Sequence, residues 1–510
     1  MSLVCFMQLI WGDIWQFQCV NSLYIEYLSY LCIYLLIIEI MKKSFVLLAF
    51  AALSMSLQAQ TARKFTVNIT PDGKANMQVF LPENPTGRAI VGCPGGGYSH
   101  LSMQNEGTDW VEFFNSKGIA YGVLTYRMPK GDRTIPMSDA QNAVRMMRDS
   151  ASVWGVNRND VGIMGFSAGG HLASTTATHA PIESRPDFQI LFYPVISMDE
   201  RQTHKGSVVG FLGDKRSDEK LVREFSNDRQ VRRHVTPPAI LLMAGDDKAV
   251  PPLTNGLPYY TALRRAGVPS SLHIYPSGGH GFGFRSSFRY HEQMLAELTA
   301  WLKTLAAPKS DAKRVACVGN SITDGHGIDM SDVNGYPAQL QRKLGSGYFV
   351  KNFGVSGRTM LNAGDRPYMK ERAWAEAKAF NPDIVVIKLG TNDSKPKNWD
   401  KHAKEYRDDM QKMIDELKAL PSKPTIYLCT PLRVDGTKIK KNENEIRDSI
   451  ITADIIPAIK KVAKKNKLQV IDLNPVIDPA SDMMQRDGIH PTEKGAKRIA
   501  EVVADELLKK

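Results

Sequence analysis

The chain is poor in cysteine. Of six cysteines in 510 residues, Cys5, Cys19 and Cys32 precede Met41, so only Cys93, Cys317 and Cys429 lie beyond it, an odd number without metal-ligand spacing. That argues against a disulfide-stapled scaffold. Each of the three adjoins an apolar strand-like run and reads as a small buried hydrophobe. No H-E-x-x-H pattern or histidine cluster occurs, so neither a metal nor another cofactor is implied. The net charge is +12, yet the basic residues are scattered. The densest group, Lys460, Lys461, Lys464, Lys465 and Lys467, reads as the solvated face of a helix, and no nucleic-acid-binding motif accompanies it. Nucleic acid is therefore not expected as a partner. Internal repeats, low-complexity tracts and coiled-coil heptads are also absent, which removes repeat architectures.

Residues 1–40 contain no Lys or Arg. Their apolar stretch from Leu23 to Ile40, with Glu26 and Glu39, lacks the basic flanks of an anchor, and residues 1–40 are read as an over-called start. Met41-Lys42-Lys43, the apolar run Phe45 to Leu57 and the small-residue site Leu57-Gln58-Ala59 follow the order of a cleaved export signal over residues 41–59. Its apolar core is too short to span a bilayer, and no Cys follows the cleavage site to carry a lipid. The expectation is a mature protein in the periplasm or outside the cell, without stable membrane insertion. No motif bears on its oligomeric state.

What remains is long enough for two sizeable cores. Residues 62–305 alternate apolar strand-like runs (89–92, 120–124, 161–164, 190–193, 239–243) with helical periodicity, as in Ala140, Val144, Met147 and Ala151. Strand, helix and strand in repetition predict an α/β fold with a mainly parallel sheet covered on both faces. Tyr290, Met294, Leu295, Leu298, Trp301 and Leu302 close it as an amphipathic helix. Residues 306–313, small, polar and interrupted by Pro308, form a linker. The alternation restarts over 314–510, with strands at 314–318, 384–387, 425–428 and 468–471 and helices around Met410 and Ile499, giving a second, smaller α/β domain.

In the first domain the run Val161 to Met164 leads directly into Gly165-Phe166-Ser167-Ala168-Gly169, and a helix follows. This is the sharp strand-to-helix elbow that presents a nucleophilic Ser at a sheet's C-terminal edge. Upstream, Gly95-Gly96-Gly97 follows a strand. Its N–H groups at Gly96 and Gly97, with that of Ala168, are positioned in sequence to hold an oxyanion. Downstream come Asp246-Asp247 and Gly279-His280-Gly281. The order Ser, Asp, His and these motifs resemble the acetyl-esterase/lipase branch of the α/β-hydrolases, close to bacterial acetylxylan and feruloyl esterases. The resemblance implies an α/β-hydrolase fold with a cap over residues 196–235, Ser167 as nucleophile, His280 as base and Asp247 as its orienting acid. Asp246 is the rival for that last role. His171 corresponds to a structural helix residue.

The second domain carries Gly319-Asn320-Ser321, Asn352-Phe353-Gly354-Val355-Ser356-Gly357, Gly390-Thr391-Asn392-Asp393 and Asp487-Gly488-Ile489-His490 in order. Asp487 and His490 stand three apart, so on a tight turn the carboxylate can orient the imidazole that deprotonates Ser321. The four blocks closely resemble the SGNH, or GDSL-type, hydrolases, with Gly-Asn-Ser in place of Gly-Asp-Ser. The resemblance implies a flavodoxin-like three-layer αβα domain and oxyanion donors at Ser321, Gly357 and Asn392. Gly354 is an alternative to Gly357.

Two unrelated serine-esterase constellations in one exported chain predict a bifunctional carbohydrate esterase acting on acetylated plant polysaccharide, removing acetyl and in one site possibly feruloyl groups. Other acyl sugars, such as sialic-acid acetates, are the alternative substrates. A catalytic domain joined to a glycan-binding pseudo-hydrolase is the rival of another class.

Overall fold

The computed structural model describes residues 64–509, so the readings of residues 1–40 and 41–59 lie outside the described residues. The first half is built on an eight-stranded sheet. Its strands are β1 (Lys64–Asn68), β2 (Asn76–Phe80), β3 (Ala89–Cys93), β4 (Ala120–Thr125), β5 (Val161–Phe166), β6 (Gln189–Phe192), β7 (Ala239–Ala244) and β8 (Ser270–Tyr275). The order is β1-β2-β4-β3-β5-β6-β7-β8, with the β1–β2 and β2–β4 pairs antiparallel and the remaining pairs parallel. Helices cover both faces, so central strands such as β5 and β7 are buried at every residue. Val161 and Ile163 enter one apolar cluster, while Met164 and Phe166 enter the other. This is the α/β-hydrolase fold expected for the half.

The second half has a five-stranded, wholly parallel sheet of β9 (Lys313–Gly319), β10 (Tyr348–Gly354), β11 (Ile384–Lys388), β12 (Thr425–Cys429) and β13 (Gln469–Ile471). Its order β10-β9-β11-β12-β13 is flavodoxin-like and puts the topological switch between β9 and β11. Ligands bind outside the carboxyl ends of strands at such a switch. Ala316 and Val318 face one apolar cluster and Val315 and Cys317 the other, completing three layers.

The connecting segment is fastened at both sides. The carbonyl oxygens of Pro308 and Lys309 accept from Asn157 and Asn159 side-chain amides, each at 2.7 Å, and Lys309 N–H donates to Ser346 at 2.8 Å. Cys93, Cys317 and Cys429 are free and buried. Among the described residues no helix is long and apolar enough to cross a membrane.

Candidate active sites

β5 ends at Phe166 and the helix Ser167–His179 begins at once, so Ser167 occupies the turn with φ of +51°. That conformation is strained for a residue bearing a Cβ, and such strain is characteristic of a nucleophile elbow. The turn closes only because its neighbours are glycine. A Cβ on Gly165 would stand 2.2 Å from the Gly169 carbonyl oxygen, and one on Gly169 would stand 2.1 Å from that of Cys93.

The structure brings the three separated side chains together. His280 Nε2 is 2.8 Å from Ser167 Oγ, and His280 Nδ1 is 2.7 Å from Asp247 Oδ2. Asp247 is buried, and its other oxygen accepts the N–H groups of Ala249 and Val250 at 2.9 Å each, which fixes the carboxylate toward the ring. Asp246 is exposed and instead accepts from Gly279 N–H at 2.8 Å. The two acids therefore divide the work: one faces the imidazole and the other holds the loop that carries it.

The glycine loop after β3 packs against the elbow: a Cβ on Gly95 would come within 3.0 Å of Ser167 Cβ. Gly95 N–H is engaged by Glu106 Oε2 at 2.9 Å, and the chain then turns through Gly96 and Gly97 at φ of +135° and +64°. Ala168 lies in the first turn of its helix, where N–H groups have no intrahelical acceptor. The expected donors Gly96, Gly97 and Ala168 thus sit on two backbone segments that meet at Ser167.

Glu106 and Tyr193 complete this site without any signal in the local sequence. Glu106 Oε1 accepts from Tyr193 OH at 2.8 Å, Tyr193 OH accepts from Gly283 N–H at 3.0 Å, and the Tyr193 ring packs edge-on against His280. Burial pushes the Glu106 carboxyl above its usual range, against the pull of the Tyr193 and Gly95 hydrogen bonds. His171 is structural, as its place in the helix suggests. Its nitrogens are each 2.8 Å from a partner, Tyr98 OH and Phe225 O, and burial pushes it down to about 4. His204, from the expected cap, reaches the glycine loop: its Cε1 is 3.2 Å from where a Cβ on Gly97 would stand.

In the second site Ser321 follows β9 directly and opens the short helix Ser321–Asp324. Asn320 caps that helix, Oδ1 accepting from Ile322 N–H at 3.2 Å, so the amide supplies the acceptor that an Asp would. His490 Nε2 is 2.8 Å from Ser321 Oγ, and His490 Nδ1 is 2.6 Å from Asp487 Oδ2. Asp487 Oδ1 takes the N–H groups of Ile489 and His490 at 2.9 and 3.0 Å, the tight turn anticipated from the spacing. Burial favours the protonated acid at Asp487, but hydrogen bonds from the imidazole and those N–H groups outweigh it and hold the carboxyl low.

Burial also lowers His490, with Asp487 opposing and His326 and Lys388 adding to the fall. The ring is therefore neutral near pH 7, as a base must be. His326 packs on His490 with ring centroids 4.6 Å apart, a contact with no sequence signature. Gly357 takes φ of +82°, and Asn392 Nδ2 donates to Arg358 O at 3.1 Å. The amide of Asn392 is thus tied to the residue that follows Gly357, on the loop leaving β10, whose last residue Gly354 pairs with Gly319 of β9.

Each relay can activate a serine hydroxyl for attack on an ester carbonyl and return the proton to the leaving alcohol. Among the described residues no His, Cys, Asp and Glu side chains group as ligands for a metal. Fold and relays together define a serine carboxylic-ester hydrolase.

Residues 317–498 match the GDSL-like Lipase/Acylhydrolase family, and residues 125–309 match the Prolyl oligopeptidase family, an α/β-hydrolase group. The chain is 56% identical over 470 residues to an acetylxylan esterase of Xylanibacter ruminicola, covering 89% of this chain and 97% of that protein. It belongs to the same family as that enzyme. Endo-1,4-beta-xylanase B of Butyrivibrio fibrisolvens is 35% identical over 222 residues, 40% of this chain and 34% of the relative. Among solved structures, an acetyl ester-xyloside bifunctional hydrolase from Caldicellulosiruptor lactoaceticus is 31% identical, covering 48% of this chain and 96% of that one, with a TM-score of 0.45.

Proposed function

We propose that the chain is an exported carbohydrate esterase whose two domains, residues 62–305 and 314–510 joined by the linker 306–313, carry independent serine active sites. Both release acetyl groups from xylan or its oligosaccharides, and one takes feruloyl or differently placed acetyl esters. The observation that carries the proposal is the likeness at 56% identity, over nearly the full length of both chains, to an acetylxylan esterase.

In the first site Ser167 attacks the ester carbonyl as His280 takes its proton, with Asp247 keeping the ring oriented. The N–H groups of Gly96, Gly97 and Ala168 hold the oxyanion. In the second, Ser321, His490 and Asp487 play the same parts, with Ser321 N–H, Gly357 N–H and the Asn392 amide as donors. Loss of one such donor typically costs about 3 kcal/mol in the transition state. The sugar alcohol leaves with the proton from the imidazole. Water, deprotonated by the same ring, then frees acetate from the acyl-serine. The covalent link keeps the second site at high effective concentration near a glycan released by the first. The leader at residues 41–59 supports action in the periplasm or outside the cell, where plant polysaccharide is met.

Acetate release from acetylated xylan by the wild type, Ser167→Ala, Ser321→Ala and the double variant tests this. Each single variant should keep a distinct part of the product profile and the double variant none. Complete loss in one single variant would reduce the other domain to a different ester or to binding.

A further inference from the structure

Charged contacts join the two halves, and one set reaches the second nucleophile. Arg232 Nη1 of the first half is 3.0 Å from Glu376 Oε1, which Arg185 of the same half also approaches at 3.4 Å. The next two residues extend to the helix that carries Ser321. Arg233 Nη2 donates to the carbonyl oxygens of Asp324 at 3.1 Å and Gly325 at 3.0 Å, closing the C-terminal end of Ser321–Asp324. Helix-end carbonyls have no donor of their own, so such contacts decide how firmly a short helix is held.

His234 lies beside it with its side chain only 5% exposed. Nε2 is 2.8 Å from Asp324 Oδ1, and Nδ1 is hydrogen-bonded to Asp332 Oδ1. A neutral imidazole has one N–H, so a ring with a carboxylate at each nitrogen donates to both only as imidazolium. Asp324 and Asp332 are the acids facing it, and Arg233, with Nε 3.1 Å from Asp324 Oδ1, is the neighbouring cation. Asp324 also accepts from Ser356 Oγ through its second oxygen, and Ser356 immediately precedes Gly357. Asn352, two residues before the end of β10, reinforces the join by donating to Thr323 O at 2.8 Å. A continuous path therefore runs from the first half to the nucleophile's helix and on to the oxyanion loop.

We infer that Arg233 and His234 of the first half are positioning residues for the second active site. They hold the Ser321 helix against the loop that presents Gly357, so this site is complete only with the first half docked on it. The inference rests on the reading of Ser321 as a nucleophile. Burial pushes the His234 ring down, but the carboxylates of Asp332 and Asp324 outweigh burial and hold it at about 9. The folded value lies above the ordinary one, so the clamp is intact at neutral pH and is lost as pH rises through about 9.

The test uses the full chain carrying Ser167→Ala, so that ester turnover reports Ser321 alone, with His234→Gln or Arg233→Lys added. Small misplacements of reacting groups can cost about 100-fold, so kcat should fall by about tenfold or more in each variant while KM changes by less than about threefold. The loss of kcat above about pH 9 should disappear in His234→Gln and persist in Arg233→Lys. In the Ser321→Ala background neither substitution should alter Ser167-dependent turnover. Should His234→Gln fail to fold, as judged by near-ultraviolet circular dichroism, Arg233→Lys carries the test, because an ammonium keeps the charge without spanning two carbonyls. Turnover that depends on Ser321 but is indifferent to these substitutions overturns the clamp alone. Absence of any Ser321-dependent turnover overturns the site reading and the clamp with it.

Discussion

Asp393 closes the Gly390-Thr391-Asn392-Asp393 block as a carboxylate with no solvent exposure. It accepts the N–H groups of Met360 at 3.1 Å and Leu361 at 2.9 Å, tying down the loop that follows Gly357. Burial pushes this acid up to about 6 from an ordinary 3.8, and the backbone hydrogen bonds offset only part of the rise. At about 1.4 kcal/mol per tenfold change in proton affinity, the displacement corresponds to about 3 kcal/mol of stability. The folded value is the higher one, so this contribution is full below about pH 4 and is lost as pH rises through about 6. Asp393→Asn removes the titration and keeps one acceptor oxygen, at a cost of about 1 kcal/mol for a weakened hydrogen bond. Urea unfolding of both proteins from pH 4 to 8, followed by amide exchange in peptides of the second half, isolates the effect. The stability difference should move in favour of Asp393→Asn by about 2.5 kcal/mol between the ends of that range. A difference independent of pH would refute the assignment of a destabilised, buried carboxylate.

Other predictions concern the relays. Asp247→Asn should lower Ser167-dependent kcat by about 10³-fold or more through the wrong imidazole tautomer, whereas Asp246→Asn, which loosens only the Gly279 contact, should cost less than about tenfold; initial rates in the Ser321→Ala background separate them. Because burial lowers His490, Ser321-dependent kcat/KM should hold as pH falls to the ordinary histidine value and drop only below it, measured in Ser167→Ala. Gly96→Ala places a Cβ 2.1 Å from His100 O at φ of +135°, so first-site kcat should fall at least about 100-fold while Ser321-dependent rates stay unchanged.

The strands that are legible in the sequence are those buried on both faces, such as β5 and β7, because a parallel sheet between helix layers demands near-continuous apolar runs. The edge strands β1, β8 and β10 are mixed in character and largely half-exposed, so Ser270–Tyr275 and Tyr348–Gly354 carry no comparable signal. The residues of the two relays stand out in short patterns for local reasons. An elbow too tight for side chains requires glycine around Ser167, and a turn of fixed length couples Asp487 to His490. Glu106, Tyr193 and His326 leave no such trace, since each acts through a partner from a distant stretch of chain.

By itself, then, the sequence determined two α/β units, their order and the side chains able to serve as nucleophile, base and acid, because those depend on periodicity and on tight local turns. Between the adjacent Asp246 and Asp247 the resemblance favoured Asp247, and the tertiary structure shows it facing the imidazole while Asp246 is turned to Gly279. Only the tertiary structure decided that Glu106 braces the glycine loop and that Arg233 and His234 reach across to Asp324. Those choices depend on the direction in which a folded backbone points each side chain and on which buried charge lies within hydrogen-bond reach, and neither is encoded in spacing along the chain.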